Sequence, residues 1–172
     1  MSKSAKPVQA ASPVKTASTL LIAAAILAIL VYGMIAAMLG TLLPALGAKF
    51  MLNPEQNASI AFWQGIGLVI ASLAVGPLVD IKGKKLGLLL GLGLIAISLF
   101  LLPTASGYEM SRALFLLVGL GGGIVVTAAN ALVGDISDTK RSSMLNLLNI
   151  FFGLGGILTP FIGSMLGGSA FI

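Results

Sequence analysis

Cysteine and histidine are both absent from this chain. Without cysteine there is no disulfide framework, no thiolate metal site and no cysteine nucleophile. Without histidine, imidazole metal ligation and Ser/His/Asp catalysis are excluded too. Charge is scarce: 9% of 172 residues, where a soluble domain carries about 25%. The five acids are Glu55, Asp80, Glu109, Asp135 and Asp138. All fall at the edges of apolar runs, so no paired acids stand at membrane depth and an intramembrane enzyme is excluded. No cofactor is implied.

Apolar residues are plentiful. They make up 58% of the chain, and the mean hydropathy is +1.09. At roughly 20 residues per crossing this fills about five membrane spans. The fold class expected is therefore all-α and integral to the membrane, with a lipid bilayer as its first partner. Spans are expected at 20–43, 60–79, 86–102, 113–133 and 144–166, with Pro44 closing the first and Pro103 stopping the third. Residues 1–18 form a polar lead, expected to be disordered and cytoplasmic. The uncharged stretch from Thr16 to Ala48 is too long for the apolar region of a secretory signal, which spans about 7–15 residues.

The net charge of +5 does not point to nucleic acid, because the cations lie in short connections and form no stripe. With the N-terminus inside, Lys3, Lys6, Lys15, Lys82, Lys84, Lys85, Lys140 and Arg141 are internal, and only Lys49 and Arg112 external. That bias places the N-terminus in the cytoplasm of a multi-pass protein of the cell (inner) membrane. Glycine is enriched, at 22 residues, and much of it recurs four residues apart, as in Gly83, Gly87 and Gly91, Gly119 and Gly123, and Gly163 and Gly167. Small residues at that spacing let helix backbones approach closely in lipid.

Between the second and third spans stands Gly76-Pro77-Leu78-Val79-Asp80-Ile81-Lys82-Gly83-Lys84-Lys85. A carboxylate at a helix C-terminus faces the negative end of the dipole and needs a cation or another helix's N-terminus. Gly76, Leu78, Asp80, Gly83, Lys84 and Lys85 resemble the hallmark loop of the major facilitator superfamily, in the right place between spans. The resemblance implies a gating role for this loop, in which the Asp latches the two halves of the transporter. Gly121 to Asn130, Leu145 to Phe151 with Gly155, and Gly40-Thr41-Leu42-Leu43-Pro44 are similar to the fourth, fifth and first helices of the fucose–galactose–hexose symporter branch. Val126 and Gly40 stand where that branch has membrane acids, and Phe115 where the superfamily commonly has an Arg. Gly155 to Gly163, with Thr159-Pro160, is similar in part to the fifth helix of the superfamily's drug antiporters.

The resemblance implies five helices of a truncated six-helix N-terminal bundle, moving a sugar or similar small polar solute, with a missing C-terminal half or a complementary subunit as partner. The uncharged polar residues in or near the spans are Gln64, Thr127, Asn130, Asn146 and Asn149, with Trp63 and Tyr32 as stacking surfaces. Amides both donate and accept hydrogen bonds, which suits sugar hydroxyls. The other reading of these amides is bonding between helices. Two other functions stay open: a scaffold or assembly subunit without transport, and a drug or metabolite efflux member of the same superfamily.

Overall fold

The computed structural model describes residues 13–136 and 141–165, which are helical almost throughout and contain no strand. The helices are α1 (Pro13–Phe50), α2 (Pro54–Lys82), α3 (Lys84–Leu101), α4 (Tyr108–Ile136) and α5 (Arg141–Met165), with a 3-10 turn at Leu102–Thr104 after α3. The shortest candidate span, Lys84–Thr104, has 21 residues. At 1.5 Å per residue it reaches about 30 Å, the thickness of a bilayer core. Large apolar side chains cover the outside, among them Leu73 at 79%, Phe100 at 83% and Ile157 at 68% exposed. Such a surface suits lipid. Of the expected polar lead, residues up to 12 lie outside those described, and the chain is already helical from Pro13.

Local chemistry sets the helix ends. Asn53 caps α2: its Oδ1 accepts from the Gln56 N–H at 2.8 Å, and Gln56 Oε1 accepts from the Asn53 N–H at 3.0 Å. Pro54 follows at the first helical position, where its missing N–H costs nothing. Gly83 separates α2 from α3 with φ +92°, a conformation that side chains rarely adopt. Pro103 does stop α3. Pro44 does not close α1, however, which continues to Phe50. A proline removes one intrahelical bond, and the helix survives where neighbouring groups compensate. The helix ends instead at Met51, whose φ of +53° places a side chain in the left-handed region at a cost of about 1–2 kcal/mol. Met51→Gly is therefore expected to raise stability by about 0.5–1 kcal/mol after the glycine's own entropic cost, read as a higher melting midpoint in detergent.

The hydrophobic effect does not drive helices together in lipid, so close packing must. The central helix is α4, which packs on α2, α3, α1 and α5. Its run Gly121-Gly122-Gly123 explains how. Successive residues point about 100° apart, so each glycine meets a different neighbour. Gly121 abuts Gly91 of α3, Gly122 the ring of Tyr32 on α1, and Gly123 the backbone at Leu68 on α2.

Two crossings are built alike. At the α2–α4 crossing, a Cβ on Gly119 would strike the carbonyl of Gln64, and one on Gly67 the carbonyl of Leu116 and the N of Leu120. At the α1–α5 crossing, a Cβ on Gly33 would strike the carbonyl of Phe152, and one on Gly155 the carbonyl of Leu30 and the N of Met34. Gly33 thus corresponds to Gly119 and Gly155 to Gly67, atom for atom. The sequence carries the same register: Leu30, Gly33, Thr41, Ala45 and Leu46 recur 86 residues on as Leu116, Gly119, Thr127, Ala131 and Leu132. Gly65 and Gly67 recur 88 residues on as Gly153 and Gly155. Three reversals separate α1 from α4, so the repeat is inverted. Thr159 adds a hydrogen bond from its Oγ1 to the Met34 carbonyl at 2.8 Å across the α1–α5 pair.

Candidate functional site

Gln64 sits where α2 and α4 touch through their backbones. Only 8% of it is exposed, and its Oε1 is buried with no hydrogen-bond partner among the described residues. A buried amide oxygen without a donor costs about 1–3 kcal/mol. It is therefore a strong acceptor held ready for a donor. Asn57 Oδ1, seven residues earlier on α2, is likewise buried without a partner among the described residues, beside Gly47 of α1.

The other candidates are placed unevenly. Thr127 and Asn130 are half-buried on α4, three residues apart and so on neighbouring faces. Trp63 is half-buried next to Gln64, with the Phe62 ring edge-on at 6.4 Å. Tyr32 is 1% exposed. Its ring lies against Gly122 and 5.8 Å from that of Phe152, so the bundle itself covers it. Asn146 and Asn149 are exposed on the first turns of α5. Gln64 and Tyr32 thus flank α4 at Gly119 and Gly122, one turn apart.

The expected gating loop is helical except at Gly83: on the last turns of α2, Gly76 has open space around it and Leu78 and Asp80 are exposed, as is Lys85 on the first turn of α3. Lys84 reaches across to the Asp135 carboxylate at the end of α4. Asp80 makes no ion pair or hydrogen bond among the described residues. The cation of this loop thus ties α3 to α4, a tie hidden in the sequence because Asp135 reads only as a loop charge.

A second cluster also escapes a linear reading. Tyr108 Oη donates to Ser59 Oγ at 2.9 Å, joining the starts of α4 and α2. The Arg112 guanidinium lies 5.6 Å from the centre of the Trp63 ring and 5.2 Å from that of Tyr108, and pairs with Glu109. The signal was available as spacing: Ser59 and Trp63, like Tyr108 and Arg112, stand four apart and share a helix face.

Residues 25–171 match the Major Facilitator Superfamily. The chain is 28% identical over 138 residues to the Saccharomyces cerevisiae "Bypass of stop codon protein 6", covering 80% of this chain and 28% of that protein. It is 28% identical over 139 residues to the Rattus norvegicus "Sodium-dependent glucose transporter 1", again covering 80% of this chain and 28% of the relative. A "Glucose/galactose transporter" of Brucella abortus is 33% identical over 140 residues, covering 78% of this chain and 34% of that one. The chain thus spans about a third of the length of these relatives. No solved structure matches it significantly.

Proposed function

Because this chain belongs to the major facilitator superfamily, a family of transporters rather than enzymes, we propose that it forms one wall of a pathway for a sugar or similar small polar solute. The observation that carries this reading is Gln64: a nearly buried amide on a spanning helix, whose oxygen has no hydrogen-bond partner among the described residues. Polar groups in membrane interiors mark solute paths, and an orphan acceptor fits a hydroxyl. Two relatives whose names specify glucose or glucose and galactose support the same class of solute.

The inverted pair of crossings supports alternating access, since transporters built on inverted repeats rock one bundle against another around a site at their interface. Gln64, with Asn130 and Thr127, contacts the solute from this wall, and Trp63 borders it. Tyr32 shapes the wall from behind α4, while Asn146 and Asn149 lie at the cytoplasmic end of the path. The opposite wall comes from a complementary set of helices. The loop Gly76, Leu78, Asp80, Gly83, Lys84 and Lys85 acts as the gate on the cytoplasmic face, where the Lys84–Asp135 pair braces it and leaves Asp80 free to engage the complementary half. The cation bias supports a cytoplasmic N-terminus, in a protein of the cell membrane.

Uptake of labelled D-glucose and D-galactose into proteoliposomes tests this. Gln64→Ala should lower uptake by about tenfold, the loss of roughly 1.4 kcal/mol from one buried hydrogen bond, with a smaller loss for Asn130→Ala. Full uptake in both variants would remove the site.

A further inference from the structure

At the end of the bundle where α2 and α4 begin, four side chains interlock across the two helices. Ser59 and Trp63 lie one turn apart on α2, and Tyr108 and Arg112 one turn apart on α4. The hydroxyl of Tyr108 reaches Ser59, and the Arg112 guanidinium lies near both aromatic rings. Glu109 pairs with the cation. A guanidinium is flat, weakly hydrated and able to stack on two rings at once, which an ammonium is not. Directly beyond Trp63 comes Gln64, whose backbone already touches α4 at Gly119 and whose Oε1 is buried without a partner. The α2–α4 pair is thus held by a backbone contact at Gln64 and, immediately before it on α2, by this clamp. The clamp's inner edge is the residue next to the unpartnered amide.

We propose that Arg112 is a positioning residue: acting through Trp63, it holds α2 against α4 and keeps Gln64 buried in the orientation in which its oxygen awaits a donor. This rests on the solute-site reading of Gln64 for its functional consequence, while its structural content stands separately. Arg112 itself touches no solute.

The chain contains no cysteine and one tryptophan, so a thiol at position 64 and the indole at position 63 are both unique reporters. The 172-residue chain in liposomes carries Gln64→Cys, alone or with Arg112→Gln or Arg112→Lys, and the rate of reaction with a small neutral methanethiosulfonate is measured. Trp63 emission is recorded for the Arg112 variants with Gln64 intact. With Arg112→Gln, thiol labelling should accelerate by about tenfold and Trp63 emission should shift to the red. Arg112→Lys, which keeps the charge but loses the flat stack, should fall between, and it serves alone where the glutamine variant does not fold. A labelling rate within twofold of the parent in both variants would overturn the proposal.

Uptake of D-glucose separates this from the reading on which it rests. Uptake lowered by Gln64→Ala and also by Arg112→Gln supports positioning. Uptake lowered by Gln64→Ala but untouched by Arg112→Gln overturns it while sparing the solute site. Unchanged uptake in Gln64→Ala, together with accelerated labelling in Arg112→Gln, rejects the solute site and leaves the clamp.

Discussion

Valine in place of Gly119 is expected to prevent α2 from seating on α4. A Cβ there would meet the backbone carbonyl of Gln64, and backbone cannot swing aside as a flexible side chain can. Overpacking a fitted interior costs about 1–3 kcal/mol even where side chains can shift, so a backbone clash at the most extensive helix contact should exceed about 3 kcal/mol. The repeat makes the expectation sharper. Gly33→Val should do the same to the α1–α5 pair, because Phe152 O stands there as Gln64 O stands at Gly119. Gly65→Val and Gly153→Val, the corresponding open positions with nothing within 4 Å, should leave the bundle folded. Monodispersity and melting midpoint in detergent report all four. Equal behaviour across the set would show that the crossings are not built as described.

Gln64→Met should separate stability from function. The thioether has nearly the amide's length but no strong acceptor, so the unpaired buried oxygen and its cost of about 1–3 kcal/mol disappear. The melting midpoint should rise while uptake of D-glucose or D-galactose falls by about tenfold. A residue that merely packs would lose neither property, and a residue bonded between helices would lose stability. Only a site that keeps an acceptor open for a ligand gains stability as it loses transport, the familiar exchange at functional positions.

Much of the architecture could be read directly. The five apolar runs, the break at Pro103 and the turn at Gly83 each follow from residue chemistry close at hand. Pro44 misled because its effect depends on neighbours: in lipid a helix can continue past a proline when surrounding groups take up the freed carbonyl. The glycines were legible only in part. Spacing by four within a helix picks out Gly87 with Gly91 and Gly119 with Gly123, but the crossings pair residues on different helices, 52 residues apart for Gly67 and Gly119 and 122 apart for Gly33 and Gly155. The relation between the crossings emerges when the chain is compared with itself at offsets of 86 and 88.

The candidate site divides in the same way. Gln64 was named for its chemistry, and its unpartnered oxygen needed the packing of α4 to become visible. Tyr32 was read as a stacking surface, yet its ring fills the space that Gly122 leaves open. No rule of spacing links residues 32 and 122. The pairs Lys84–Asp135 and Arg112–Trp63 likewise join helices distant in sequence. Charges at helix ends are easily taken for markers of topology, and here they also tie helices together.

Every role assigned to these helices requires an alternating course through the bilayer, and single-cysteine labelling tests that course most directly. Lys85→Cys, on the first turn of α3, and Ser106→Cys, between α3 and α4, are each expressed in the otherwise cysteine-free chain and treated with a membrane-impermeant thiol reagent in intact cells. The expected result is labelling of Ser106→Cys from outside and of Lys85→Cys only after the membrane is opened. Labelling of both from the same side would contradict it.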